Sequence, residues 1–218
     1  MLGKPKSRGF NNYKIHKSDA STVMPARFID LEGIDQSGKA TQTRLLLREF
    51  QRQGLTTVSI DFPVYSSGIG REIRAFLNGR KNYDSHTVHM LYSLNRWENR
   101  ERIIQALGSA DIVMTDRYTP SNLAYGLAKG LDLEWLANLD RGLPEPEKIL
   151  VLDVPVEYSF ARKRESRDVH ERDSELLLRV RRNYLNLARK FGWRVVDATR
   201  PAAAVHKEVL RVVLPKRV

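Results

Sequence analysis

The stretch Arg27 to Thr43, RFIDLEGIDQSGKATQT, constrains this chain more than any other. Apolar residues at Phe28, Ile29 and Leu31 read as a strand, two glycines and a lysine follow, and LLLREFQRQ reads as a helix. Strand, glycine loop and helix in that order form the context of a phosphate-binding loop. Gly33 and Gly38 let the backbone turn its N–H groups inward, and Lys39 adds a cation for the outer phosphates. The helix that begins there offers unpaired amides and a positive dipole end to the same anion. The predicted cradle is Gly33, Ile34, Asp35, Gln36, Ser37, Gly38, Lys39, Ala40 and Thr41. Ala40 stands where such loops carry a Ser or Thr that ligates Mg²⁺. A methyl group cannot do so, so the ion must be held by nucleotide oxygens, water and a carboxylate elsewhere, or by Thr41 after a shift.

Composition narrows the partners. At 218 residues the chain is one domain, or one domain with an extension, and long enough to bury a core. Without cysteine there is neither a disulfide framework nor a thiolate zinc site, which fits a cytoplasmic location. No apolar run approaches a membrane span, so no membrane partner is expected. A net charge of +11 calls for polyanions, either nucleic acid or a pocket holding several phosphates. The basic residues are spread along the chain with no aromatic-interleaved patch, so most read as a solvated surface and nucleic acid is the lesser expectation.

Residues 1–26 hold Lys4, Lys6, Arg8, Lys14 and Lys17 against Asp19 with no periodicity, which predicts a flexible basic extension to a domain spanning 27–214. After the loop, helices are predicted over Thr41–Gln53, Ile69–Leu77, Ser85–Leu107, Ser121–Lys129, LDLEWLANL, Ser174–Lys190 and Pro201–Val212. Another begins at Pro155. Strands are predicted at TTVSID, DIVMTD, KILVLDV and WRVVDA. With the first strand these make a five-stranded parallel sheet with helices on both faces, an α/β fold.

Ligands of an open parallel sheet gather at the carboxyl ends of its strands. Here those ends read Glu32-Gly33, Asp61-Phe62-Pro63, Asp116-Arg117-Tyr118 and Asp153, a rim of carboxylates suited to phosphates and a metal. Asp153, just before Pro155, is expected to cap the next helix. Asp116-Arg117 sets a carboxylate able to hold metal-bound water beside a guanidinium able to grip phosphate with two bonds. On HTVHMLYSLNRWE, the residues His89, Tyr92 and Arg96 share one helix face. A ring beside a guanidinium suits a nucleobase, and equally a buried aromatic beside a surface arginine.

Together LEGIDQSGKATQ, DFP, the N-R-W-E helix, DRYTPSNLAY, GLPEPEKILVLDV and a basic segment before RVRRNY resemble the thymidylate kinases, P-loop nucleoside monophosphate kinases. The resemblance covers Arg27 to about Val212. It implies the P-loop NTPase fold of the monophosphate kinases with a short lid at about 162–173, ATP and Mg²⁺, dTMP as acceptor, and a homodimer. It also implies roles for the matching residues. Lys39 and the loop amides bind ATP, and Asp35 meets the sugar 3′-hydroxyl and the incoming phosphate. Phe62 and Pro63 lie near the base, Tyr92 stacks on it, and Arg96 bonds to its edge. Asp116 organises Mg²⁺ through water and Arg117 holds the acceptor phosphate. Ser121, Asn122 and Tyr125 line base and sugar, Tyr125 crowding a 2′-hydroxyl. Besides Ala40, two positions depart from the family. Val64 and Tyr65 follow Phe62-Pro63 where many members have an arginine, leaving Arg71 or Arg74 to reach in, and Gln36 occupies a position where some carry a catalytic arginine. The charge of the moving phosphoryl then falls to Arg162, Arg164 or Arg167 of the lid. Two other readings stay open: a deoxynucleoside kinase, and an impaired P-loop protein that binds nucleotide or nucleic acid without turnover.

Overall fold

The computed structural model describes residues 27–162, 170 and 173–214. The basic extension over 1–26 and most of the segment 163–172 lie outside the described residues. Five strands, β1 (Arg27–Glu32), β2 (Thr57–Asp61), β3 (Ile112–Asp116), β4 (Lys148–Asp153) and β5 (Arg194–Asp197), form one sheet in the order β2-β3-β1-β4-β5. Every pairing is parallel. The register puts Leu31 opposite Asp116, Asp61 opposite Asp116, and Asp153 opposite Asp197, so the acidic strand ends do line one rim.

Nine helices among the described residues connect and cover the strands: α1 (Lys39–Arg52), α2 (Gly68–Leu77), α3 (Ser85–Glu98), α4 (Arg100–Ser109), α5 (Thr119–Ala128), α6 (Leu133–Leu139), α7 (Val156–Arg162), α8 (Ser174–Phe191) and α9 (Ala202–Val213). Two apolar clusters hold them to the sheet. Phe28, Ile60 and Val113 pack with Ile103 and Ala106 of α4. Ile29, Leu31 and Met114 belong to a larger cluster with Leu46 and Phe50 of α1, Val180 and Tyr184 of α8, and Val209 of α9. Each fully buried aliphatic or phenyl side chain here contributes roughly 1.5–3 kcal/mol.

Three local features differ from expectation. The helix predicted over Ser85–Leu107 is two helices, because Asn99 turns its side-chain amide back onto the Asn95 carbonyl at 2.8 Å and competes with the helical ladder. Its own N–H then bonds three residues back, to Arg96. Helix α5 starts at Thr119, two residues earlier than predicted, with Pro120 tolerated in the first turn. Asp153 does not cap a helix. Its carboxylate takes two bonds from Arg181 of α8, at 2.7 and 2.9 Å.

Glu32, at the end of the central strand, is fully buried. Its Oε1 accepts the amides of Tyr118 and Ser121 at 2.8 and 3.1 Å, and its Oε2 the hydroxyls of Ser121 and Tyr184 at 2.7 Å each. It is therefore an anchor for α5 and α8, with its lone pairs spent on protein donors. Glu32→Ala would leave buried amides and hydroxyls unpaired at about 1–3 kcal/mol each. A loss of about 3 kcal/mol or more in urea denaturation is expected, and a loss under about 1 kcal/mol would refute the anchoring role.

Candidate functional site

Two cavities open on the rim and meet. The larger, about 570 Å³, is lined by residues 35–42 of the glycine loop and α1, by Asp61 and Asp116, and by Arg162 and Arg200. The loop is shaped by close approach: Gly33 has φ 137°, and a Cβ there would stand 2.5 Å from the Leu152 carbonyl oxygen and 2.8 Å from Ser37 Oγ. Only glycine fits. Gln36, with φ 61°, takes the left-handed conformation without being glycine. Lys39 is buried, and its Nζ donates to the carbonyls of Gly33 (3.2 Å) and Ile34 (3.1 Å). Burial, and next the nearby Arg117, push its pKa down. Ser37 Oγ, also buried, has no partner among the described residues. The side chain of Ile34 packs into the core, so Ile34 can serve the cavity only through its backbone. Arg162, the last residue of α7, crosses to the loop and donates to the Gln36 carbonyl at 2.8 Å and to that of Ala198 at 3.2 Å. Arg164 and Arg167 lie outside the described residues.

The second cavity, about 130 Å³, shares Asp35, Phe62 and Arg117 with the first. At this junction Arg117 Nη2 donates to Asp35 Oδ1 at 2.6 Å, and the Tyr125 hydroxyl to Asp35 Oδ2 at 2.9 Å. Burial opposes ionisation of Asp35, but Arg117 and then Lys39 outweigh it and hold the carboxyl well below its ordinary range. Arg117 also donates to the Gly33 carbonyl (3.1 Å) and Ser121 Oγ (3.2 Å). Its backbone, at φ 68°, is in the left-handed region, a cost of about 1–3 kcal/mol for a residue with a Cβ.

Beyond the junction the cavity runs between α3 and α5. It is lined by Pro63, Tyr92, Arg96, Ser121, Asn122 and Tyr125, all expected from the sequence, and by Tyr65, His89, Asn95, Tyr118 and His170. Arg96 is not a surface arginine: it is buried, with Nε and Nη2 on Asp140 at 3.1 and 2.7 Å, and Ser93 Oγ bonds the same carboxylate at 2.7 Å. Asp140 thus fixes how Arg96 faces the cavity. It comes from the end of α6, and nothing in its local sequence signals the pairing. His89 Nδ1 lies 2.7 Å from Asn122 Oδ1, tying α3 to α5. Asn95 accepts the Val64 amide at 2.8 Å and donates to Ser67 Oγ at 2.9 Å, which secures the loop where the arginine is missing. Arg74 lies over the Tyr65 ring, 4.7 Å from its centroid, so it stands behind a lining residue. Arg71 donates to the Ser66 carbonyl at 2.9 Å. Neither arginine is among the lining residues.

Asp61 and Asp116, register partners on neighbouring strands, both face the larger cavity. Burial first, then Asp116, raises the Asp61 pKa, so a cation here would be welcome. Among the described residues there is no group of three or more His, Cys, Asp or Glu able to hold a metal. A divalent ion at this rim would draw most ligands from phosphate and water, which is the habit of Mg²⁺.

A parallel sheet with a phosphate loop after its central strand, joined to a second cavity through one aspartate and one arginine, has the layout of a P-loop phosphotransferase. Residues 31–209 match the family model described as thymidylate kinase. The chain is 34% identical over 205 residues to a thymidylate kinase of Arabidopsis thaliana, covering 94% of this chain and 77% of that one. It is 32% identical over 188 residues to a thymidylate kinase of Plasmodium falciparum, covering 86% and 89%. A solved thymidylate kinase structure from Candida albicans superposes with a TM-score of 0.78 at 27% identity, covering 87% of this chain and 91% of that one. The chain belongs to the thymidylate kinase family.

Burial dominates at His89 and lowers its pKa to about 4. The unfolded chain then binds a proton between pH 6.5 and 4 that the folded chain refuses, so this contribution is full above pH 6.5 and lost as pH falls toward 4. A drop of 2.5 pH units corresponds to about 3 kcal/mol. Urea denaturation at pH 7 and pH 4.5 is expected to show a smaller acid loss for His89→Gln than for the parent chain, and equal losses would refute the assignment.

Proposed function

We propose that the protein transfers the γ-phosphoryl group of ATP to dTMP, giving dTDP. The observation that carries this reading is the junction: the glycine-loop cavity and the α3–α5 cavity meet at Asp35 and Arg117. Two nucleotides lying head to head would bring donor and acceptor phosphates together there. Transfer needs in-line placement, cations on the equatorial oxygens and exclusion of water more than covalent chemistry.

In this reading Lys39 and the amides of Gly33 to Thr41 hold the ATP phosphates, and Arg117 holds the acceptor phosphate. Asp35, kept ionised by its neighbours, accepts from the acceptor sugar and orients Arg117. Tyr92 and Phe62 flank the thymine while Arg96, braced by Asp140, meets its edge. Ser121, Asn122 and Tyr125 line base and sugar, and Arg162, with Arg164 and Arg167, meets the charge on the moving phosphoryl. Asp116 and Asp61 would hold Mg²⁺ through water, and bound Mg²⁺ would neutralise phosphate charge. We assign the activity to residues 27–214, with 1–26 an extension to it. A cytoplasmic location is proposed on substrate chemistry, since ATP and nucleoside monophosphates are intracellular metabolites.

The test is ADP release with Mg·ATP and dTMP, dUMP, dGMP, dAMP or thymidine as acceptor. A preference for dTMP is expected. Preference for thymidine would indicate a nucleoside kinase, and binding without turnover an impaired enzyme. Lys39→Ala and Arg117→Ala are each expected to lower turnover on the order of 100-fold or more, as loss of a preorganised charge contact does.

A homodimer is part of the proposal. It is supported by Met90, Leu94 and Trp97 of α3, which are 40%, 49% and 37% exposed and recur at the four- and three-residue spacing of one helix face. Sedimentation is expected to give twice the chain mass for the parent and the chain mass for Leu94→Glu. Identical behaviour of the two would remove α3 from the interface.

A further inference from the structure

Arg162 and His170 border different cavities. Arg162 touches the glycine loop through the Gln36 carbonyl. Eight residues later His170 lines the other cavity. Its imidazole centroid lies 5.7 Å from the Phe76 ring of α2 and 5.7 Å from the Tyr125 ring of α5, tilted in both contacts. His170 therefore bridges α2 and α5 across one end of the cavity.

The contact with Tyr125 matters most. That residue carries the hydroxyl bonded to Asp35 at 2.9 Å, and the Arg117 guanidinium lies 5.5 Å from its ring centroid. With its hydroxyl on Asp35 and its ring near both Arg117 and His170, the phenol is contacted by three residues. Burial, and next the charge of Lys129, lower the His170 pKa to about 4, so at neutral pH it packs as an uncharged ring.

We propose that His170 is a specificity-determining residue of the acceptor site, bracing the Tyr125 ring against Asp35 and closing the sugar end of the cavity to a 2′-hydroxyl. The proposal rests on the acceptor assignment above and deepens it. A rigid wall rejects an added hydroxyl by steric exclusion, and a wall free to move rejects it less. His170 acts through Tyr125, so it is a positioning residue whose effect appears in selectivity.

The experiment compares kcat/KM for dUMP and UMP, acceptors that differ only in that hydroxyl, in the parent chain, His170→Ala and His170→Phe. An aromatic contact of this kind corresponds to roughly a three- to tenfold effect. His170→Ala is expected to lower the dUMP:UMP preference by that factor with the KM for ATP unchanged, and His170→Phe to restore it. An unchanged ratio in His170→Ala, in a protein that phosphorylates dTMP, overturns the role of His170 alone. A loss that His170→Phe does not repair overturns bracing by the ring. Absence of turnover of any nucleoside monophosphate by the parent chain overturns this proposal together with the acceptor assignment.

Discussion

A carboxylate with no access to water organises this protein. Glu32 sits where the central strand gives way to the glycine loop, and its four accepted bonds fix the start of α5 and the middle of α8. Buried charge is costly unless it is fully hydrogen-bonded, so α5 and α8 have little freedom to sit elsewhere. From that fixed point follow the positions of Ser121, Tyr125 and Tyr184, and through them the pose of Arg117. Two residues earlier on the same strand, Asp30 is equally buried, its Oδ1 accepts from Thr115 at 2.8 Å, and its Oδ2 has no hydrogen-bond partner among the described residues. Burial, and then the charge of Glu32, raise its pKa well above the ordinary carboxylate range. The strand thus carries one carboxyl that is paid for in hydrogen bonds and one that favours its proton.

The same economy appears at the junction. Asp35 and Arg117 neutralise each other while the nearby Lys39 remains buried on two carbonyl oxygens. Lys39 is therefore held by neutral carbonyl groups beside a neutralised pair, and the low-dielectric walls strengthen each contact. The cavity between α3 and α5 repeats the device with Arg96 and Asp140.

What was legible in the sequence was what is local. Strands, the glycine loop and most helix ends follow from short apolar runs, glycines and caps, and the acidic strand ends do share one rim. The break at Asn99 was not legible, because an asparagine in a helix turns its amide to the backbone or to solvent according to its burial, which the tertiary fold decides. Asp140 is invisible for a related reason: its partner Arg96 lies 44 positions away in the chain, on another helix. His170 sits among charges that read as a lid for the donor, and only the packing against Phe76 and Tyr125 reveals its other neighbour. Arg74, expected near the Phe62-Pro63 corner, lies over the ring of Tyr65, the residue that lines the cavity there.

The corner at Arg117 carries a last implication. Its left-handed backbone is a conformation that glycine adopts freely and arginine resists. Glycine would relieve the backbone but leave the buried Asp35 carboxylate without its guanidinium, so the two demands at this corner pull in opposite directions. The corner thus trades backbone ease for a neutralised pair, and any residue that met only one of the two demands would fit it less well.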